Sequence, residues 1–258
     1  MMLTNKLEEI VSNNVDYSEI YLAHRVADTG LLDTVISNLK LKKGMRLLDF
    51  GCGTGNYLLA LQEKGYKNLY ALDKDDKMKD IATNRTSVAV KSGSHLSIPF
   101  ESDFFDSIIL IAMIHFIDDL NSLFKNLNRV CKNGGRVVIV TQSHKQVDAR
   151  FYNKYFPSLA GIDKQRYHEP QSIISVAEET GFFDQGIQDY SNGSDLLIDD
   201  RYYNLVKDKS FYVLRLLSDD EFKNGMKLFQ QELKQNAGKF IAPFAGWTII
   251  TLQKSGAI

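Results

Sequence analysis

The apolar positions of the first 141 residues alternate between short runs with strand character and stretches with helical spacing. Strands are predicted at 45–50, 68–73, 87–90, 105–113 and 136–141. Helices are predicted at 3–12, 17–40, 56–64, 75–84 and 118–130. Because a strand, a crossover helix and a second strand are typical of right-handed βαβ units, the pattern predicts an α/β fold on a parallel, doubly wound sheet.

The pattern changes after residue 142. Residues 146–169 are rich in aromatic side chains without a strand period, and residues 195–236 are polar with helical spacing. A helix is predicted at 171–180, and strands are predicted at 182–190 and 246–253. We interpret 146–169 and 195–240 as helical additions around the central sheet, within one domain that spans 1–258.

Composition and charge exclude several classes of protein. The chain has 258 residues and a net charge of −1, which does not favour a nucleic-acid partner. The longest apolar run, Ile108 to Ile114, is shorter than the roughly 20 residues that a membrane span requires. The N-terminus lacks the apolar core of a signal peptide, so a cytoplasmic protein is expected. The spacing of Cys52 and Cys131 predicts neither a disulfide framework nor a metal site.

The most informative segment is a glycine-rich turn between the first strand and the following helix. Glycines at 51, 53 and 55 permit positive φ and let a nucleotide-like ligand approach the backbone. The dinucleotide fingerprint requires a sixth-position glycine, but Asn56 stands there. Asp49 before the turn could bind the ammonium of a methionine moiety and suits a sulfonium charge. The alternative is a tight turn with Thr54 capping the helix.

Asp73 ends the second predicted strand, where open α/β sheets bind their ligands. A carboxylate at this position can accept hydrogen bonds from both hydroxyls of a ribose. Each such charge-assisted bond contributes about 1.5–3 kcal/mol. Asp73 therefore strengthens the interpretation of the glycine turn as a ligand site.

Five segments in this order resemble the class I S-adenosylmethionine-dependent methyltransferases, in particular the small-molecule enzymes of the UbiE or type-11 kind. They are LLDFGCGTGNY from Leu47, LYALDKDDKM from Leu69, VKSGSHLSIPFESDFFDSIIL from Val90, IAMIHFIDD from Ile111 and LNRVCKNGGRVVIVT from Leu127. The resemblance implies a Rossmann-like seven-stranded sheet with an antiparallel last strand. It also implies methyl transfer from S-adenosylmethionine, with S-adenosylhomocysteine as the product and no metal.

The same resemblance divides the chain into an N-terminal helical lid at 1–40, a cofactor-binding core at 41–142, and acceptor-site additions with the final strands at 143–258. It implies cofactor contacts at Asp49, Gly51, Cys52, Gly53, Gly55, Asn56, Asp73, Lys74, Met78, Ser94, His95, Leu96 and Ala112. One departure concerns Ser94, because the family usually carries Asp there to contact the adenine amino group. The alternative for Ser94 and His95 is a plain loop.

The N-terminal segment resembles a Tyr…Arg element that folds over the cofactor in related enzymes. Tyr21 and Arg25 lie on one helix face, and an arginine can pair with the cofactor carboxylate in a bidentate way. The alternative is a surface arginine on a packing helix. Tyr17 precedes this pair and is a candidate for contact with the acceptor.

His115 follows the apolar fourth strand and is the first candidate for a general base, because an imidazole suits proton removal at neutral pH. The alternative is that His115 packs near the cofactor without titrating. His144, at the end of the next strand, is the second candidate. Further candidates for acceptor binding come from the aromatic additions: Tyr152, Tyr155, Arg166, His168 and Tyr203. The aromatic residues among them are equally consistent with the core of added helices.

The predicted function is methyl transfer to a small-molecule acceptor, with O-, N-, C- and S-methylation all open. An RNA or protein methyltransferase is one alternative, opposed by the near-neutral charge and by Ile114-His115-Phe116 where base- and amine-methylating relatives carry an Asn/Asp-Pro-Pro-Tyr sequence. A non-catalytic partner or sensor that binds the cofactor is the other. Incubation with methyl-labelled S-adenosylmethionine distinguishes these three functions by the molecule that receives the label.

Overall fold

The computed structural model describes residues 17–191, 193 and 195–256, so the helix predicted at 3–12 lies outside the described residues. The described strands are β1 (Leu47–Phe50), β2 (Leu69–Asp73), β3 (Val90–Ser92), β4 (Phe105–Ile111), β5 (Cys131–Thr141), β6 (Phe182–Tyr190), β7 (Leu196–Ile198), β8 (Phe240–Ala242) and β9 (Trp247–Lys254). The described α-helices are α1 (Tyr17–His24), α2 (Thr29–Leu39), α3 (Asn56–Glu63), α4 (Asp76–Thr86), α5 (Leu120–Val130), α6 (His144–Asp148), α7 (Leu159–Lys164), α8 (Pro170–Glu179), α9 (Asp200–Lys207) and α10 (Asp219–Gln235). Short 3₁₀ turns occupy Ile114–Phe116, Phe151–Lys154 and Tyr212–Leu216.

The described chain divides into two compact units. The larger unit contains the described residues of 26–148, 164–193 and 245–258. The smaller unit contains those of 1–25, 149–163 and 194–244. The helical additions predicted near 146–169 and 195–240 thus belong mainly to the smaller unit. That the whole chain folds as one domain, with a lid at 1–40, stays a prediction.

The larger unit is built on a seven-stranded sheet in the order β3-β2-β1-β4-β5-β9-β6. Its strands run parallel except β9, which pairs antiparallel with both β5 and β6. This topology confirms the predicted doubly wound sheet with an antiparallel last strand. The chain order reverses between β1 and β4, so their carboxyl ends form the edge where open α/β sheets bind ligands.

Apolar residues cover both faces of this sheet, as expected of parallel strands that helices cover on either side. Side chains alternate between the faces along each strand. Ile108 and Leu110 of β4 join a cluster with α5 and α8, whereas Ile109 joins a second cluster with α2 and α3. Every residue of β1 is buried, as are most residues of β4, so the carboxyl-end loops follow strands from the centre of the core.

The smaller unit has its own core, in which aromatic rings pack with aliphatic side chains. Rings from residues 151–156 pack against rings of α9 and α10 and against Phe211. A two-stranded antiparallel ribbon of β7 and β8 belongs to this unit. In the described part of the chain, no helix combines the length and the apolar character needed to cross a bilayer.

Two helical predictions are corrected by the structure. The helix predicted at 17–40 is interrupted at residues 25–28. Asp28 caps α2 by accepting a 2.9 Å hydrogen bond from the Leu31 N–H, so α2 starts as a separate helix. The region 195–236 is not continuously helical: it contains β7, and Asp199 and Ser218 each start a separate helix by side-chain capping. Strand β3 begins at Val90, later than predicted, because α4 extends to Thr86.

Candidate functional site

The glycine turn joins β1 to α3 with three glycines in the left-handed region. Their φ angles are 75° at Gly51, 54° at Gly53 and 79° at Gly55. A Cβ atom at Gly51 would lie 2.9 Å from Cε of Met113, in the loop after β4. The turn therefore requires glycine for its conformation, and at Gly51 also for its close contact with the next loop.

Backbone and guanidinium hydrogen bonds hold this turn in place. The N–H groups of Gly51 and Cys52 donate to the Leu72 carbonyl at 2.8 and 3.2 Å. Nη1 of Arg85, on α4, donates to the Thr54 carbonyl at 2.6 Å and to Oδ1 of Asn56 at 2.9 Å. Thr54 does not cap α3, since Gly55 is the N-cap residue and forms no side-chain bond.

Asp73 ends β2 with its carboxylate directed at the glycine turn. Its Oδ2 accepts from the Gly53 N–H at 2.8 Å, and its Oδ1 accepts from the Asp75 N–H at 3.0 Å. Burial raises the pKa of Asp73 above its usual value, although these backbone bonds act in the opposite direction. A carboxylate has about four acceptor sites. Two bonds fix its orientation and leave capacity for the paired hydroxyls of a ribose.

Asp49 is a second carboxylate at the same edge and is only 3 % exposed. Burial, followed by the charge of Asp73, raises the pKa of Asp49 to about 7. Burial and the two nearby carboxylates also raise the pKa of the Cys52 thiol far above its usual range, so the thiol stays neutral. Two carboxylates that disfavour each other's charge favour a cationic ligand between them.

Ser94 shapes the loop after β3, where the resemblance expects an adenine contact. Its hydroxyl accepts from the Leu96 N–H at 3.2 Å, and Ser94 and Ser97 exchange backbone hydrogen bonds in an isolated bridge. The amide of Asn126 donates to the His95 carbonyl at 3.0 Å. Leu96 is 63 % exposed and offers an apolar side chain beside this turn. The loop is therefore held by its own hydrogen bonds and by one from Asn126 on α5.

Three further predicted cofactor residues lie on the elements around the turn. Lys74 is exposed directly after β2, and Met78 is buried on α4. Ala112 follows β4 with a φ of 52° and donates its N–H to the Val140 carbonyl at 2.9 Å. A non-glycine residue in this conformation stores strain of the kind that clusters at functional sites.

The loop after β4 carries His115, the first predicted base. Its imidazole stacks on the Tyr167 ring with a centroid distance of 4.3 Å and an interplanar angle of 9°. Nδ1 of His115 is buried. Two predicted acceptor residues contact the same loop: the Arg166 guanidinium lies 4.9 Å from the centroid of the Phe116 ring, and His168 Nε2 lies 2.7 Å from the Ile117 carbonyl oxygen.

His144, the second predicted base, begins α6 with both ring nitrogens beside oxygen atoms. Nε2 lies 2.8 Å from the Tyr167 carbonyl, and Nδ1 lies 3.1 Å from Oε1 of Glu169. Proton removal by His144 would require one of these contacts to break. A base role for His144 stays a prediction that this geometry opposes.

The remaining predicted residues belong to the smaller unit. The Arg25 guanidinium lies 4.6 Å from the centroid of the Phe211 ring and 5.7 Å from that of Tyr21. Tyr17 begins α1, and the described structure does not extend to its side chain. The structure therefore confirms that Tyr21 and Arg25 are neighbours, and their contact with a cofactor stays a prediction.

Two of the predicted acceptor residues of this unit form part of its aromatic core. Tyr152 and Tyr155 are 6 % and 4 % exposed, and the Tyr155 hydroxyl donates to Oε2 of Glu232 at 2.8 Å. Tyr203 is half-buried, 5.6 Å from the Phe229 ring. The core alternative thus describes Tyr152 and Tyr155 better than direct contact with an acceptor, because little of either side chain reaches solvent.

Three residues of the site were missed in the sequence. Arg85, Met113 and Glu169 contact the glycine turn or His144 across long stretches of chain. No local pattern marks them: Arg85 has the periodicity of an ordinary helix residue, and Glu169 precedes a proline. Met113 lies in a segment that the resemblance covers, but its contact with Gly51 depends on the sheet order.

Comparisons with known proteins agree with this geometry. A family model described as "Methyltransferase domain" matches residues 22–184. A demethylmenaquinone methyltransferase of Staphylococcus aureus (strain MRSA252) is 28% identical over 184 residues, which are 62% of this chain and 76% of the relative. The demethylmenaquinone methyltransferase of Staphylococcus epidermidis (strain ATCC 12228) is 25% identical over 184 residues, which are again 62% of this chain and 76% of the relative.

Solved structures share the fold. One, described as a methyltransferase from an antibiotic biosynthesis pathway of Anabaena variabilis, has a TM-score of 0.70 at 21% identity and covers 88% of this chain and 98% of its own. Geranyl diphosphate C-methyltransferase from Streptomyces coelicolor, solved with Mg²⁺, geranyl diphosphate and S-adenosylhomocysteine, has a TM-score of 0.59 at 15% identity and covers 94% and 85%.

The polar groups at the turn fit S-adenosylmethionine. The Asp73 carboxylate matches ribose hydroxyls, and the buried carboxylate of Asp49 matches a ligand with ammonium and sulfonium charges. Positive φ at the glycines keeps the backbone clear for such a ligand. With the family model matching well over half of the sequence, the chain belongs to the methyltransferase domain family and is an S-adenosylmethionine-dependent methyltransferase of the class I, small-molecule kind.

Proposed function

We propose that the chain binds S-adenosylmethionine along the glycine turn and presents it to a small acceptor at the loop after β4. Asp73 accepts hydrogen bonds from both ribose hydroxyls, and Asp49 lies beside the ammonium. The contact of Met113 with Gly51 carries this proposal, because it brings the loop of His115 directly against the turn. When bound, the cofactor supplies the methyl group of its sulfonium, and the sulfur becomes a neutral thioether.

The chain's own residues then align the acceptor and hold its proton. His115 accepts the proton of an acceptor hydroxyl, amine or acidic carbon at Nε2, since Nδ1 is buried. The Tyr167 ring fixes the plane of the imidazole. Alignment and exclusion of water are the main requirements of such an in-line displacement.

The acceptor is a small molecule in this proposal, and the enzyme is cytoplasmic without a nucleic-acid partner. The net charge of −1 supports the second point, because phosphate backbones are bound by clusters of basic residues. The similar demethylmenaquinone methyltransferases make a demethylated quinol a sensible first compound to test. O-, N-, C- and S-methylation are all compatible with His115 as the base.

The test is incubation of the full chain with methyl-labelled S-adenosylmethionine and fractionated cell extract, with Asp73→Ala as the control for an intact site. Label in the small-molecule fraction, lost in the variant, supports the proposal and identifies the acceptor by mass. Label in RNA or protein would overturn it. Binding of the cofactor without transfer of label to any fraction would favour a non-catalytic partner or sensor.

A further inference from the structure

Four consecutive residues, 166–169, contact the loop after β4 or the start of α6, and we refer to them as the 166–169 clasp. The Arg166 guanidinium covers Phe116, and the Tyr167 ring stacks on His115. The next two residues reach backbone and imidazole atoms: His168 Nε2 to the Ile117 carbonyl, and Glu169 Oε1 to His144. All of these residues belong to the larger unit.

Glu169 has a position that helix capping does not explain. It is the N-cap residue of α8 but forms no side-chain cap bond, and Pro170 follows it at the first helical position. Glutamate is not among the preferred N-cap residues. Its carboxylate instead accepts from the backbone N–H of His144 at 3.2 Å and lies 3.1 Å from Nδ1 of the same residue.

His144 connects this carboxylate to the backbone of the clasp. Nε2 lies 2.8 Å from the Tyr167 carbonyl, and a carbonyl oxygen can only accept, so Nε2 carries a hydrogen. Nδ1 faces the Glu169 carboxylate, which also accepts. A chain of contacts thus runs from Glu169 through His144 to the Tyr167 backbone, and from the Tyr167 ring to His115.

We propose that Glu169 and His144 are positioning residues that hold the Tyr167 ring against His115 and so set the orientation of the imidazole toward the acceptor. This inference rests on the proposed function, because it assigns His115 as the group that meets the acceptor's proton. In this arrangement His144 connects the Glu169 carboxylate to the Tyr167 carbonyl and does not remove a proton from the acceptor.

The test uses the full chain labelled with ¹³C and ¹⁵N in its histidine rings. The stacked Tyr167 ring shifts the His115 ring protons upfield, a signature that loss of stability alone does not move. We expect Glu169→Ala to remove most of this shift and Glu169→Gln, which keeps the acceptor oxygen, to retain most of it. Glu179→Ala is the matched control, because Glu179 is exposed on the same helix.

A double variant tests the order of the contacts. Tyr167→Leu should remove the upfield shift of His115 completely, and Glu169→Ala added to it should change nothing further. Affinity for S-adenosylhomocysteine, measured by calorimetry, should change less than twofold in Glu169→Ala, while transfer of label to the acceptor fraction should fall about tenfold, the scale of a small misplacement of a reacting group.

Several results would overturn the positioning role. One is an unchanged His115 resonance in folded Glu169→Ala. Another is a wild-type ¹⁵N spectrum in which Nε2 of His144 carries no hydrogen, a readout that needs no variant. Failure of the wild type to bind S-adenosylhomocysteine would instead contradict the proposed function, and the resonance of His115 would still report on the clasp.

Discussion

The glycine turn and the loop of His115 lie against each other but are held by different means. The Leu72 carbonyl, the Asp73 carboxylate and the Arg85 guanidinium fix the turn by hydrogen bonds. Side chains from the distant 166–169 clasp fix the loop. The hydrogen bonds of the turn therefore come from β2 and α4, the next strand and helix after α3, whereas the loop depends on side chains that are more distant in the sequence.

This difference matches the two tasks of a methyltransferase. A common cofactor calls for a constant cradle, which backbone geometry supplies. A variable acceptor calls for a surface that side chains can reshape without disturbing the cradle. If this separation holds, changes in the loop should lower turnover and leave cofactor affinity alone. Changes in the turn should lower cofactor affinity, and turnover should then fall only where the cofactor does not saturate the enzyme.

The largest effect on turnover is expected from His115→Ala on the loop side. General base catalysis contributes roughly 100-fold to 10,000-fold, so transfer of label should fall about 100-fold. Affinity for S-adenosylhomocysteine should stay within twofold by calorimetry. An unaltered rate of label transfer in His115→Ala would show that His115 packs in the loop without acting as a base.

A comparably large effect on binding is expected from Gly51→Val on the turn side. A branched side chain at a φ of 75° meets backbone strain and the Met113 side chain. Affinity for S-adenosylhomocysteine should fall about 100-fold, because relief of a strain and contact cost of about 3 kcal/mol moves the turn out of the conformation that binds the ligand. Gly161→Val is the control, as Gly161 is exposed with nothing near its Cβ position. Equal affinity in the two variants would contradict the assigned cradle.

Asp73→Ala should weaken cofactor binding at least tenfold. It removes the acceptor of both ribose bonds and also the partner of the Gly53 N–H. Calorimetry against Asp80→Ala, an exposed carboxylate on the following helix, isolates this loss from the change in charge. Unchanged binding in Asp73→Ala would mean that the ribose lies elsewhere.

Asp49→Asn tests the buried carboxylate through its pH dependence. The pKa of Asp49 is raised from 3.8 to about 7 in the folded protein, so its contribution to stability is full below pH 4 and is lost as the pH rises through 7. Without cofactor, the melting temperature of the wild type should therefore fall between pH 5.5 and 8 by several degrees more than that of Asp49→Asn.

The same variant should weaken binding of S-adenosylhomocysteine about tenfold at pH 8, where the carboxylate is charged and can pair with the ammonium. Wild-type affinity should rise as the pH rises through about 7, and the affinity of the variant should not follow this rise. Parallel pH profiles for the two proteins would show that Asp49 does not face the ligand's charge.

The smallest expected effect is a gain. Ser94→Asp places a charged acceptor where related enzymes carry one, and a short carboxylate can keep the turn that the Ser94 hydroxyl forms with the Leu96 N–H. Affinity for S-adenosylhomocysteine should rise about threefold to tenfold, or about 1 kcal/mol. Ser97→Asp, on the exposed side of the same turn, should show no gain. Equal changes in the two would assign the effect to general charge.

Local chemistry explains which parts of the molecule were predictable. The strand, glycine turn and helix from Leu47 onward lie in one continuous segment, and Asp73 ends an apolar strand, so both could be found in the sequence. Arg85 and Glu169 could not, because their partners depend on tertiary structure. The break before Asp28 and the strand β7 were missed for a related reason: a capping side chain overrides helical spacing.

A crystal structure of the full chain with S-adenosylhomocysteine tests the central assignment most directly. We predict both ribose hydroxyls within hydrogen-bond distance of the Asp73 carboxylate and the ligand's amino group beside Asp49, with the loop of His115 facing the thioether sulfur. A ligand bound away from the glycine turn, or one whose ribose makes no contact with Asp73, would contradict the account.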